Sequence, residues 1–218
     1  MWVIPTITPQ FIERMEHVLD LYSKPHNPRE PVVCFDEKSK QLLENTRPVI
    51  PMRRGAVRKT DYEYKRNGTA NIFMTVEPKG GYRNVKATHR RTKADFAHEI
   101  RRIVDLPRYQ HVEKMHVVLD NLNTHFKKSV RETFSKQETR RILSKVQFHY
   151  TPKHASWLNM AEIELSILGR QCLNRRIPDM RPLKRHLKIW QARRNGHHSK
   201  INWKFTKQDA RNIFKYNT

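Results

Sequence analysis

The sequence predicts an α/β fold, a mixed sheet flanked by helices with a helical, basic C-terminal part. Two observations carry this expectation: strand-like and helix-like runs alternate from residue 31 to about residue 150, and the last third has helical periodicity. With 218 residues, 37% hydrophobic and 30% charged, the chain has enough apolar material for one principal domain and is not of disordered composition.

The elements follow in order. Thr8 can cap a first helix, Pro9 suits its first position, and Phe11, Ile12, Met15, Val18, Leu19 and Tyr22 recur at helical spacing. Pro25, Pro28 and Pro31 keep the chain out of helix until residues 32–35, an unbroken β-prone run expected of a strand buried on both faces. Strands are expected at 69–77 and 82–88, around the turn Pro78-Lys79-Gly80-Gly81. Thr92 and Asp95 form a capping-box pattern for a helix that buries Phe96, Ile100, Ile103 and Val104 and stops before Pro107. A strand at 115–119, a helix over about 126–143 and a strand at 146–150 come next, then helices over about 156–176, 182–194 and 206–215.

Charge bounds the partners. The 44 Lys and Arg exceed the 21 Asp and Glu by 23, a field that gathers polyanions and makes their binding salt-sensitive. The excess is uneven: residues 1–37 are net negative by three, whereas residues 170–218 are net positive by 12, which makes the C-terminal quarter the best candidate for a phosphate-binding face. Trp190, Trp203, Phe205, Phe214 and Tyr216 interleave with it and are read mainly as core. An anionic membrane is the competing partner, but no stretch is apolar enough to span a bilayer and no signal sequence opens the chain, so a cytoplasmic protein that binds no membrane is expected.

Several chemistries drop out. Cys34 and Cys172 form no CxxC pair and read as core filler; His98-Glu99 lacks the second histidine of a zinc-protease motif because Arg102 stands there; no GxxxxGK[ST] or GxGxxG loop is present.

What remains is an acid trio. Asp36 closes Val-Val-Cys-Phe, Asp120 closes His-Val-Val-Leu, and Glu162 rides a helix. Carboxylates at the C-terminal ends of buried strands occupy the place where open α/β sheets carry chemistry, although aspartate there also serves as a turn former. On its helix, Glu162 flanks a stripe of Leu158, Ala161, Leu165, Leu168 and Cys172, with Glu164 on the other flank, and geometry does not choose between the two. Clustered carboxylates repel unless cations neutralise them, so a meeting of the three implies a hard divalent metal.

The segments Pro31-Val-Val-Cys-Phe-Asp36-Glu37, Val118-Leu-Asp120-Asn-Leu-Asn-Thr-His125 and Thr151-Pro-Lys-His-Ala-Ser-Trp-Leu-Asn159-Met-Ala-Glu162 closely resemble the catalytic core of DDE transposases of bacterial insertion sequences in the mariner-like superfamily. The resemblance extends to the lead-in helix ending at Tyr22 and to Asn202-Trp203-Lys-Phe205-Thr206. It implies an RNase H-like core over residues 31–178, preceded by a lead-in helix and linker over 1–30 and followed by a basic helical extension over 179–218 packed on the core. It also implies that Asp36, Asp120 and Glu162 hold two Mg²⁺ or Mn²⁺ ions, and it selects Glu162 over Glu164, because the family's glutamate stands three positions after the asparagine that is Asn159 here.

Glu37, Asn121, Asn123, His125 and Asn159 are then expected to orient the acids, with helix capping as the alternative role for Asn123. Arg53, Arg54, Arg58, Lys59, Arg90, Arg91 and Lys93 are expected phosphate contacts near the sheet, and Arg170, Arg175 and Arg176 further ones on the basic C-terminal side. The implied activity is cleavage at transposon ends and strand transfer into target DNA, by a homodimer in the DNA complex. The alternatives are an RNase H-like nuclease without strand transfer and a non-catalytic nucleic-acid-binding protein. Two departures from the family pattern stand out. Asp120 and Glu162 lie 42 positions apart, longer than usual, which is expected to lengthen a polar helix-loop at 135–144. The chain also starts about where the family's N-terminal helix-turn-helix region would have ended, as expected of a catalytic-domain fragment or truncated product.

Overall fold

The computed structural model describes residues 7–216. Helix α1 (Pro9–Ser23) starts where the Thr8 hydroxyl accepts the Phe11 amide, and it buries Phe11, Met15, Val18, Leu19 and Tyr22. Five strands follow in sequence: β1 (Val32–Asn45), β2 (Tyr64–Glu77), β3 (Tyr82–Thr88), β4 (Met115–Leu119) and β5 (Val146–Tyr150). They form one sheet in the order β3-β2-β1-β4-β5. The β3-β2-β1 half is antiparallel, whereas β1-β4 and β4-β5 are parallel.

Alternation along the strands sends side chains to two cores. Cys34, Ile72, Met74, Val76 and Val118 pack on one face with α1. That face is covered also by α5 (Met160–Leu168), α6 (Met180–Gly196) and α7 (Lys207–Phe214). Val33, Phe35, Phe73, Val117 and Leu119 pack on the other face against α2 (Lys93–Val104), with Val130 of α3 (Lys127–Thr133) and Ile142 of α4 (Lys136–Lys145). A sheet covered by helices on both sides explains why the β1 and β4 runs are continuously apolar.

The same alternation positions the acids. β1 and β4 pair in parallel with Cys34 opposite Val118, and Asp36 and Asp120 each stand two residues farther on. Both therefore leave the sheet on the face of Cys34 and Val118, the face that α5 covers. Glu37, one residue out of phase, follows Phe35 to the opposite face.

Some elements differ from the sequence reading. β1 does not stop at Asp36; it continues to Asn45 because β2 pairs with it antiparallel over that length, so Asp36 sits within a strand, two residues past the last parallel pair with β4. The helix expected over 126–143 is two helices, broken where Phe134 is extended (φ −119°, ψ 162°) and the Ser135 side chain caps α4 by accepting the Glu138 amide. The lengthened interval is therefore a capped helix rather than a helix-loop. The helix expected over 156–176 is a 3₁₀ turn (Ser156–Leu158), α5, and one π-helical turn (Gly169–Leu173).

The basic C-terminal quarter spends part of its charge internally. Lys207 lies 2.5 Å from Asp20 and Arg211 3.1 Å from Glu16, so α7 neutralises the acidic face of α1. Trp190 is buried, and Trp203, Phe205, Phe214 and Tyr216 pack against the core. At the β2-β3 turn Gly81 has φ 64°, and a Cβ there would lie 2.7 Å from the His198 carbonyl, so only glycine lets the segment after α6 approach. No helix among the described residues is long and apolar enough to cross a membrane.

Candidate active site

The crevice between the diverging ends of β1 and β4, roofed by the start of α5, gathers the three acids. Asp36 is 7% exposed. Its Oδ1 accepts the Glu37 amide at 2.7 Å, and its Oδ2 lies 3.4 Å from Asn159 Nδ2, which also donates to the Phe35 carbonyl at 2.9 Å. Asn159 caps α5 by accepting the Ala161 amide. One buried side chain thus fixes the start of α5 against β1 and sets where Glu162, in the first turn, comes to rest.

Asp120 is oriented from the other side. Its Oδ1 accepts the Leu122 amide at 3.1 Å and lies 2.6 Å from His125 Nδ1. The opposite ring nitrogen of His125 lies 2.8 Å from Glu37 Oε2, and Arg91 stands 3.5 Å from the other Glu37 oxygen. His125 is buried against Phe35 and Phe96. Burial works against its charge, but the hydrogen bond to Asp120 and the close Glu37 carboxylate outweigh this and push its pKa up to about 9, so a buried imidazolium sits between the two acids near neutral pH.

Electrostatics shows the acids as neighbours. Burial first, then the Glu162 carboxylate, with Asp120 and Glu37 adding, pushes Asp36 up to about 8. Glu162 is raised by burial and by Asp120, against the pull of Lys38. For Asp120 burial also acts upward, but the His125 bond wins and holds it below the usual aspartate range. Among the described residues no three His, Cys, Asp or Glu side chains converge on a single ion position. The all-oxygen donor set and the mutual destabilisation of the acids fit a site for hard cations shared between carboxylates rather than one ion in a preformed cage.

Two clefts flank the acids. One, of about 580 Å³, has Glu37 and Glu162 in its lining; the other, about 310 Å³, has Asp120, Lys153 and His154. His154 sits at φ 61°, a left-handed backbone of the kind that concentrates at functional sites.

The remaining sequence expectations scatter around this centre. Asn121 donates to the Thr151 carbonyl and accepts from Arg14, tying the β4 and β5 ends to α1. Asn123 is exposed and does not cap α3, whose N-cap position is Phe126 with no side-chain cap bond. Arg53, Arg54, Arg58 and Lys59 lie exposed on the arm joining β1 to β2, which closes on itself through the bridges Ile50–Lys59 and Arg53–Ala56. Arg90 and Arg91 are exposed between β3 and α2 and Lys93 at the start of α2, Arg91 reaching Glu37 and Lys93 lying 3.6 Å from Glu132. Arg170 lines the larger cleft and Arg175 is exposed. Arg176 is occupied by Asn45 and by the Tyr62 and Glu63 carbonyls, where it fastens the base of the arm.

Sequence reasoning missed the fully buried Arg83, which meets Glu164 at 2.5 Å, and the stack of His17, His149 and His116. Arg83 gave a weak signal as an arginine in an otherwise inward-facing strand; the histidines, on three separate elements, gave none.

A mixed five-stranded sheet with helices on both faces, one acid within its first strand, one just past the end of its fourth and one on the helix after its fifth, is an RNase H-like architecture. Residues 31–184, well over half of the chain, match the family model of the DDE superfamily endonucleases, and the chain belongs to that family. Solved structures of similar fold include the Mos1 mariner paired-end complex with Mn (TM-score 0.58, 17% identity, 91% of this chain and 60% of that one). The Mos1 paired-end complex with the left transposon end (0.56, 17%, 99% and 61%) and the Mos1 strand transfer complex (0.57, 16%, 91% and 59%) are similar too. The chain thus spans about three fifths of the Mos1 chains. No curated protein matches it in sequence.

Proposed function

We propose that this chain is the catalytic domain of a DNA transposase, cleaving phosphodiesters at transposon ends and joining them to target DNA, with Asp36, Asp120 and Glu162 as its catalytic, metal-binding residues. The observation that carries the reading is the placement of Asp36 and Asp120 side by side on the sheet face roofed by Glu162, three acids that destabilise one another. When bound there, two Mg²⁺ or Mn²⁺ ions would supply activation of the attacking oxygen and stabilisation of the departing one.

The protein's own groups do the positioning. Asn159 holds Asp36 and the first turn of α5 in one frame; His125 keeps Asp120 ionised and turned into the crevice; Glu37 balances the imidazolium from the far side. The exposed arginines and lysines of the β1-β2 arm and of the β3-α2 link are the proposed phosphate contacts, which position DNA without reading its sequence. Two copies acting together on paired ends belong to the same proposal, supported by the Mos1 complexes being paired-end assemblies; a cytoplasmic location is proposed with it from the sequence.

Purified protein incubated with supercoiled DNA and Mg²⁺ or Mn²⁺ is expected to nick it, and Asp36→Asn to abolish nicking. Joining of a free 3′ hydroxyl end to a second DNA is the added expectation for a transposase; nicking with no joining under Mn²⁺ assigns a nuclease instead. Nicking at full rate by Asp36→Asn overturns the site.

A further inference from the structure

Past Cys34, β1 has no strand on its β4 side, because β4 ends at Leu119 and turns away. Its free edge from Glu37 to Lys40 forms one wall of the larger cleft, and α5 with its π-helical turn forms the other. Glu162, Ser166 and Arg170 recur every fourth residue and are exposed along that second wall, while Lys38 is exposed on the first. The groove thus begins at a catalytic acid and turns basic within two helical turns.

Gly169 keeps it open. Its backbone is helical, and a Cβ built on it would meet only the Lys38 ammonium, at 3.8 Å. Lys40 is not available to a ligand, since its ammonium donates to the Leu173 and Arg175 carbonyls and braces the π-helical turn against β1. A π-helical turn of this kind often marks a functional site. No aromatic residue is among the groove's lining residues, so nothing there stacks on a base.

We infer that this groove seats the backbone of a single DNA strand leading away from the acid crevice, with Lys38, Ser166 and Arg170 taking its phosphates irrespective of sequence. The inference rests on the acid set being a nucleic-acid site. A trench walled on both sides fits one backbone rather than a duplex, and its exposed cations, Lys38 close to Glu162 and Arg170 two helical turns farther on, draw a polyanion along it.

The test is fluorescence anisotropy on the whole chain in EDTA, where no cleavage occurs, comparing a blunt DNA duplex with the same duplex carrying a single-stranded tail of either polarity. The wild-type protein is expected to bind one tailed duplex roughly tenfold more tightly than the blunt one, the scale of one or two charge-assisted contacts. Lys38→Gln with Arg170→Gln should erase that advantage and lower the salt slope by about 0.7 for each phosphate that is no longer neutralised. Gly169→Leu should erase it by filling the groove with its charge intact. Both proteins should keep the wild-type melting temperature, Gly169→Leu should keep its blunt-duplex affinity, and changing the tail sequence should not matter.

A tail advantage that survives both changes, or is absent in the wild type, overturns the groove. Nicking is scored separately: a wild-type protein that fails to nick DNA in Mg²⁺ or Mn²⁺ removes the transposase reading while the anisotropy comparison still decides the groove.

Discussion

Helix α5 carries two glutamates, Glu162 and Glu164, in opposite electrostatic surroundings. Glu164 is 0% exposed and is met by Arg83 at 2.5 Å and Arg194 at 2.7 Å, so two guanidinium groups from β3 and α6 surround one carboxylate. Glu162 faces the crevice with Asp36 and Asp120, and the cation bearing on it is Lys38. One cluster is over-supplied with positive charge from within the fold, the other is short of it. A folded protein can use the first as a fastener for α5; the second holds Asp36 protonated when empty and ionises it where a ligand supplies the missing positive charge.

The comparison is tested most severely by removing one acid from each side. Asp36→Asn is expected to lower metal-dependent nicking by at least roughly a thousandfold, about 4 kcal/mol of transition-state stabilisation, while melting temperature in EDTA near neutral pH stays level or rises, because the fold keeps this carboxyl protonated up to about 8 at a cost in stability that an amide does not carry. Glu164→Ala should do the reverse in kind. It leaves Arg83 buried and uncompensated, at a cost of about 3–5 kcal/mol in urea unfolding. If Asp36→Asn destabilises the metal-free protein as much as Glu164→Ala does, the distinction between the clusters fails.

A smaller effect grades the fastener. Arg194→Ala leaves Glu164 still paired with Arg83, and because Arg194 is partly exposed the expected loss is only about 1.5 kcal/mol, that of one hydrogen bond to a charged group. An equal loss for Arg194→Ala and Glu164→Ala would show that the bond from helix α6, not the buried charge, is what holds α5.

Much of this is legible in the sequence, for physical reasons that differ by element. The β1 and β4 runs, the cap at Thr8 and the capping box at Thr92 are local signals, and each element stands where it is expected. Parity then places Asp36 and Asp120 on one face, a consequence of a two-residue repeat that any strand obeys. Register is not local: nothing in 32–35 says that β1 runs on to Asn45, because that length depends on β2, some twenty residues away. Choosing Glu162 over Glu164 needs the resemblance, since helical angle alone treats them alike; the structure separates them through Arg83 and Arg194, which lie on other elements. The groove beside Gly169 is invisible in the sequence for the same reason, being formed by a strand edge and a helix more than a hundred residues apart.

A third titratable cluster, centred on the buried His149, sharpens the comparison from the other side, because its buried member avoids charge. His149 of β5 has both ring nitrogens taken by histidines, Nδ1 at 2.7 Å from His17 Nε2 of α1 and Nε2 at 2.9 Å from His116 Nδ1 of β4. Burial, then repulsion from His116, His17, Lys24 and Lys127, drives its pKa down to about 3, from the 6.5 of a free histidine. The folded protein therefore refuses a proton that the unfolded chain accepts between those values, and His149 costs stability increasingly as pH falls from about 6.5 toward 3. Above 6.5 both states are neutral there and the penalty vanishes. Asp36, raised from 3.8 to about 8, also changes stability across part of this range, so the informative quantity is the difference in unfolding free energy between the wild type and His149→Gln at each pH. That difference should shift steadily in favour of His149→Gln as the pH is lowered through the window. A difference that stays constant would mean that the stack shares a proton in the fold, and that this protein buries histidine charge as readily as it buries the charge of Arg83.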